Sequence, residues 1–348
     1  MILKYIYKNI IWAVLVLFYI SIFVINSNSA DKTTWAFNNK EKYGICLDSF
    51  SNSYKKFIKY KKAAEVVIVD IDINFTGLDK FKSIIEKRLW KNSDDLPDNR
   101  IDDDSDGFIN NYYGIELLKR TSDPEMIFNI SFIRKNKDTF HNEFMHGTTI
   151  VQIIDKIAAS SAVKVYLINA LTMADFIEAS KWIIAEKKRG TNIKVINMPS
   201  TYFLKTHKFT DKETFDALKK FLVSLNFEEQ DFILVTGSGN NPPDDSNPLA
   251  LMNFDNIFSV NAHNKKGEVI YKHAAKYSHF SVPEIFLKGT SESSTVASSI
   301  IATYFSIKPD YSAKRMVNFI KNSIVKDKNI GNYTLFKGYL QYDKAIFR

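Results

Sequence analysis

Short β-branched runs alternate with amphipathic stretches along most of this chain, and that alternation restricts its fold more than any other feature. Val66–Val69, Met126–Phe132, Val163–Ile168, Ile193–Met198, Phe232–Val235 and Ile257–Val260 read as strands. Each has few alternating polar positions, so each is expected to be covered on both faces. Helical periodicity runs between and after them, through Leu78–Trp90, Thr149–Ala159, Thr172–Lys187, Lys212–Leu225, Thr295–Phe305 and Ser312–Ile324. The pattern predicts an α/β fold of three layers, a mostly parallel sheet with helices on both faces. No internal repeat or Pro-rich linker interrupts it, so residues 65–348 read as one domain. In such sheets ligands bind at the carboxyl ends of the strands, which makes the residues just after each run the candidates for function.

The remaining composition excludes several classes. The net charge of +8 is spread over abundant Lys, and no segment concentrates Arg with aromatics, so nucleic acid is not an expected partner. Cys46 is the only cysteine among 348 residues, which rules out an intramolecular disulfide and a Cys-based zinc or iron–sulfur site. It reads as an inert thiol, with no His near it in sequence. Gly237-Ser238-Gly239 lacks the third Gly of a dinucleotide loop, and neither a phosphate loop nor His-Glu-x-x-His occurs.

Lys4 and Lys8 precede a charge-free stretch from Asn9 to Ala30 whose heart, Ile10–Ile25, is almost wholly apolar. Residues 1–30 therefore read as an export signal cleaved near Ala30, or as an uncleaved membrane anchor through residues 9–25. Either way the rest is expected outside the cytoplasm: periplasmic, secreted, or anchored and facing outward. Residues 31–64 form a polar N-terminal segment whose run Lys55, Lys56, Lys59, Lys61 and Lys62 reads as a solvated face. The 35 residues Asp31–Glu65 are too few for a folded prodomain, so no large N-terminal excision is expected.

Three segments carry candidate chemistry. The strand Val66–Val69 ends in Asp70, His146-Gly147-Thr148 opens a helix, and Gly289-Thr290-Ser291 opens another. A Ser at a helix N-terminus sits where backbone N–H groups and the positive dipole end stabilise developing negative charge. A His that reaches it acts as base, and a buried Asp on the other ring nitrogen fixes the tautomer. Asp102, Asp104 and Asp106 precede Gly107 at alternate positions, a spacing that suits either Ca²⁺ or a solvated acidic turn. Tyr113 stands where an EF-hand would place its bidentate Glu, so that motif is incomplete.

The chain order Asp, His, Ser, together with Gly239-Asn240 after the strand Phe232–Val235, resembles the subtilisin-like serine peptidase family (subtilases). The resemblance runs from about Val66 to Tyr304, and includes Val195-Ile196-Asn197-Met198, which resembles the substrate-binding strand, and the Asp-rich stretch Asn99–Gly114. It implies a subtilisin-like fold and an exported serine endopeptidase that needs no cofactor for catalysis and acts on a protein or peptide substrate. It further implies that Asp70, His146 and Ser291 form the triad, that Asn240 contributes to the oxyanion hole, and that Asn197, Met198 and Ser200 bind substrate. The chain departs from the family's usual residues after each motif: Ile71-Asp72 follow Asp70, Thr149 stands where a second His is usual, and Glu292-Ser293-Ser294-Thr295 replace a Met-Ala-small-Pro run. Pro199, after the substrate strand, lacks an N–H donor. These departures motivate the rival reading, a non-catalytic subtilase-fold protein that binds peptides or a partner.

Overall fold

Ala64–Asp70 (β1) is buried at all seven positions, which only a central strand covered on both faces achieves. The computed structural model describes residues 35–37, 41–47, 64–70, 82–96, 99, 101–105, 107–108, 112–117, 146–160, 162–170, 173–199, 211–225, 231–240, 254–285 and 289–342. After β1 come α1 (Lys82–Arg88), β2 (Gly114–Glu116), α2 (His146–Ile157), β3 (Val163–Asn169), α3 (Met173–Arg189) and β4 (Ile193–Met198). Then follow α4 (Asp211–Ser224), β5 (Ile233–Gly237), β6 (Ile257–His263), a 3₁₀ turn (Lys272–Tyr277), β7 (Phe280–Pro283) and α5 (Thr290–Ile307). The chain ends its described course with α6 (Ala313–Ser323), β8 (Val325–Lys326), α7 (Lys328–Gly331) and β9 (Gly338–Tyr339). Of the runs read as strands, Met126–Phe132 lies outside the described residues.

Among the described residues the strands form one sheet in the order β2-β3-β1-β4-β5-β6-β7-β9-β8, parallel throughout except for the β8–β9 pair. β1 lies between β3 and β4, so the chain order reverses at β1 and opens a crevice beyond its carboxyl end. Side chains alternate across the sheet. Val66 and Ile68 face the layer that includes α2, α5 and α6, whereas Val67 and Val69 face α3 and α4. On the second side Trp182 of α3 stacks on Tyr166 of β3, with ring centroids 3.7 Å apart. The three layers expected from the alternation are the three layers observed.

Helix α5 lies against α2 and against β1 and β3 through β7. Its side chains from Glu292 through Ser306 are all buried, which is why a single amphipathic face is missing from its sequence. Several hydroxyls it carries into the interior bond to its own backbone: Ser299 Oγ donates to Thr295 O at 2.8 Å and Thr303 Oγ1 to Ser299 O at 2.7 Å, while those of Ser293 and Ser298 are buried without a hydrogen-bond partner. Periodicity alone starts this helix at Thr295, one turn late, because the polar residues before it look like surface.

Two further features tie the scaffold together. Arg88, at the end of α1, is buried and caps the carboxyl end of α2. Its Nε donates to Asp155 Oδ1 at 2.8 Å, Nη2 to Ala158 O at 2.7 Å and Nη1 to Ser160 O at 2.7 Å. Burial would raise the Asp155 carboxyl, but Lys87 and Arg88 outweigh it and hold it below its ordinary value. The segment read as polar also contributes to the domain, because Ala36 and Ile45 are fully buried core residues. Its backbone is bound from several elements: Tyr339 Oη donates to Lys42 O at 2.6 Å, the Tyr342 N–H to Ile45 O at 3.0 Å, and the ring Nε2 of His263 to Tyr43 O at 2.9 Å. Burial pushes His263 down to about 4, which keeps the ring neutral at ordinary pH. The structural unit therefore takes in residues upstream of position 65. Among the described residues no helix is long and apolar enough to cross a membrane.

Arg88→Met leaves the Ala158 and Ser160 carbonyls without their donor, while Asp155 keeps Lys87, and is expected to lose about 1–3 kcal/mol in urea unfolding; Arg88→Lys keeps the charge but not the fork, and should recover only part of it. Glu65 gives a pH prediction. Burial pushes its carboxyl up against the lowering fields of Lys187 and Lys194, and its Oε2 is buried without a hydrogen-bond partner. The folded state then holds this proton more tightly than the unfolded chain does, so the contribution to stability is complete below the unfolded value and is lost as pH rises through the folded one. Glu65→Gln should therefore melt higher than the parent at about pH 8 and converge with it near about pH 4.

Candidate active site

The crevice beyond β1 holds Asp70, which ends the strand with its side chain completely buried. The Ala170 N–H donates to Asp70 O at 3.0 Å and pins the strand end. His146 is the first residue of α2, and its Nδ1 lies 2.7 Å from Asp70 Oδ2 and 3.0 Å from Oδ1. An ionised carboxylate can only accept, so the contact places the proton on Nδ1 and leaves the Nε2 lone pair as the basic face. The His146 side chain is 24% exposed, so the ring borders the solvent side of the crevice while its partner does not.

At the same edge of the sheet, β5 and α5 meet. Gly289 is the N-cap of α5, with φ +148° and no side chain to cap the helix. Asn240, just after β5, supplies the cap from a distance. Its Oδ1 accepts from the Thr290 N–H at 2.7 Å and from Thr290 Oγ1 at 3.0 Å, while Thr290 Oγ1 accepts from the Gly239 N–H at 3.1 Å. The Asn240 amide is thereby oriented: its oxygen is used inside the protein and its Nδ2 lies on the Gly289 side, 3.4 Å from where a Cβ on Gly289 would stand. Ser291 follows Thr290 in the first turn of α5, among the N–H groups that have no partner within the helix. Its carbonyl is held by Ser294 Oγ at 2.9 Å and Thr295 Oγ1 at 2.8 Å.

The structure thus brings Asp70 together with His146, and Asn240 together with the turn that carries Ser291. Asn197 and Met198 lie within the sheet. Both are fully buried, and β4 is hydrogen-bonded to β1 on one side and β5 on the other, so no strand edge is open there to a peptide. Asn197 turns inward, and its Nδ2 donates to Thr295 Oγ1 at 3.1 Å, which extends the support of Ser291 back to the sheet. The Met198 carbonyl accepts from Thr236 Oγ1 at 3.0 Å. Ser200 lies outside the described residues.

The Asp-rich loop is held by its own bonds. Asp104 Oδ2 accepts from Arg189 Nη1 at 3.0 Å and from Asn92 Nδ2 at 2.8 Å, and Asp102 Oδ2 accepts from the Gly107 N–H at 2.9 Å. No group of three metal-ligating side chains converges among the described residues. Asp106 lies outside them. Thr290, Gly237 and the inward role of Asn197 are what sequence reasoning missed, because each acts through a partner far away in the chain.

Neither family models nor curated proteins match this sequence. Solved structures do. The chain is similar to the subtilase cytotoxin SubAB assembly at 15% identity and a TM-score of 0.57, covering 90% of this chain and 95% of that one. It is similar to the A-subunit of the AB5 toxin from E. coli at 15% identity and a TM-score of 0.57, over 90% of this chain and 98% of that one. It is also similar to MycP1 with the N-terminal propeptide removed, at 12% identity and a TM-score of 0.50, over 90% and 98% of the two chains. The fold is a subtilisin-like α/β fold.

Gly237 offers a test of how tightly this edge is built. A Cβ there would stand 2.6 Å from Thr290 Oγ1, 2.7 Å from its O and 2.8 Å from its C, too close for the helix start to stay in place. Gly237→Ala should cost about 1–3 kcal/mol in denaturant unfolding, as overpacking does. An unchanged midpoint would mean that the start of α5 yields.

Proposed function

We propose that this chain is an exported serine endopeptidase in which Asp70, His146 and Ser291 form the catalytic triad. The observation that carries the reading is the contact of buried Asp70 with Nδ1 of His146 at a crevice lying on the same sheet edge as Ser291 and Asn240. A surface His needs no such partner. A general base does, because the carboxylate fixes the tautomer and stabilises the imidazolium formed when the base takes a proton.

In this reading Ser291 Oγ attacks the scissile carbonyl carbon as its proton passes to Nε2 of His146. Asn240 Nδ2 and the Ser291 N–H donate to the oxyanion, an arrangement supported by the fixed orientation of the Asn240 amide. Collapse of the tetrahedral species breaks the C–N bond, and the imidazolium gives its proton to the leaving amine. Water then repeats the sequence on the acyl-enzyme, returning Ser291 and releasing the acid. Every step uses side chains and backbone of this chain, without a cofactor. The apolar stretch behind Lys4 and Lys8 supports placing the domain outside the cytoplasm, with peptides or proteins there as substrates.

A fluorophosphonate probe should label wild-type protein at Ser291, and Ser291→Ala and His146→Ala should both abolish labelling. Asn240→Ala should keep the nucleophile and lower kcat by about 10²–10³, the magnitude for one lost oxyanion donor. Folded wild-type protein that resists the probe and leaves unfolded casein intact would instead support the peptide-binding rival.

A further inference from the structure

The residue after Ser291 is a fully buried carboxylate. Glu292 is 0% exposed, in a helix whose other buried side chains are small, hydroxyl-bearing or apolar. Burying a carboxylate is costly unless its oxygens are satisfied, so its partners show what it holds. Glu292 Oε1 accepts from the Ile285 N–H at 2.8 Å. Ile285 follows the end of β7, where the Glu284 N–H donates to His263 O at 3.0 Å and fixes the strand end. The position of Glu292 in the helix is the third after the N-cap, from which a Glu commonly reaches back to the N-cap N–H. Here it reaches four residues further back, to the strand that leads into the helix.

We propose that Glu292 is a positioning residue for the nucleophile: it ties the exit of β7 to the first turn of α5 and so fixes where Ser291 stands. This rests on the peptidase reading above. Thr290 and Asn240 fix the turn on the β5 side. Asn197 and Thr295 fix its carbonyl from beneath. Glu292 supplies the remaining tether, on the β7 side, and its neighbours there are Glu284 and Tyr271. The Tyr271 hydroxyl lies 3.5 Å from Glu284 Oε1, and burial together with the two carboxylates pushes it up to about 12. The hydrogen bond from the Ile285 N–H needs only an acceptor oxygen at that reach. An amide oxygen at the same reach accepts from the same N–H, whereas a side chain one methylene shorter falls short of it.

The test compares Glu292→Gln, Glu292→Asp and Glu292→Ala with the wild-type domain by probe-labelling rate, kcat and KM on a peptide substrate, and melting temperature. Glu292→Gln should stay within about threefold of wild type in kcat, and Glu292→Asp and Glu292→Ala should fall by about 10–100-fold with KM unchanged, the range expected when a buried N–H loses its acceptor. If Glu292→Ala does not fold, the order of Gln over Asp carries the same decision. Asp outperforming Gln would overturn the proposal in favour of charge, and losses that only follow the folded fraction would reduce Glu292 to a structural residue. All three variants matching a labelled wild type would overturn this proposal alone, while an unlabelled wild type would overturn the peptidase reading and this inference with it.

Discussion

The structure depends on burying one helix almost completely. α5 runs through the interior against α2 and most of the sheet, so neither its hydroxyls nor its N-terminal N–H groups can rely on water. Several of the hydroxyls, those of Ser299 and Thr303 among them, bond to the preceding turn of the same helix. The N-terminus needs an external acceptor, and with a glycine at the N-cap that acceptor is Asn240, fifty residues earlier in the chain. The proposed nucleophile and oxyanion donor sit where the helix-end problem is solved.

This solution bears on the catalysis proposed for the site. An amide that uses its oxygen to cap a helix must present its nitrogen elsewhere, and the nitrogen of Asn240 is left on the Gly289 side of the turn before Ser291. Orientation of a donor before the substrate arrives is what makes such a group effective, since no reorganisation is then required as charge develops. Gly237 and Gly289 serve the same end through what they lack. One lets Thr290 approach the sheet more closely than a methyl group would allow, and the other adopts a φ of +148°.

The other half of the site depends on α2. His146 begins that helix, and the far end of the helix is gripped by Arg88, which reaches Asp155, Ala158 and Ser160 at once. An error in the placement of α2 along its axis would carry His146 away from Asp70, so a guanidinium at the opposite end of the helix bears on the geometry of the imidazole. Stability and the geometry of the proposed site are joined here through a helix of twelve residues.

Much of this was legible in the sequence. β-branched runs without alternation, such as Val66–Val69 and Ile193–Met198, determined strands covered on both faces and hence a parallel sheet with helices on either side. The small and polar triplets at His146 and Gly289 marked helix starts. What only the tertiary structure decided was which ends meet. The place of β1 between β3 and β4 sets Asp70 in a crevice facing His146, 76 residues away. The alternation of β4, with α5 packed on one face, puts the Asn197 amide beside Thr295, and the ties from Tyr339, Tyr342 and His263 draw a polar-looking N-terminal stretch into the core. Local pattern records how often a residue is buried and with what period, but not which distant group will satisfy it. That choice follows from strand order, which is set by the packing of the whole chain.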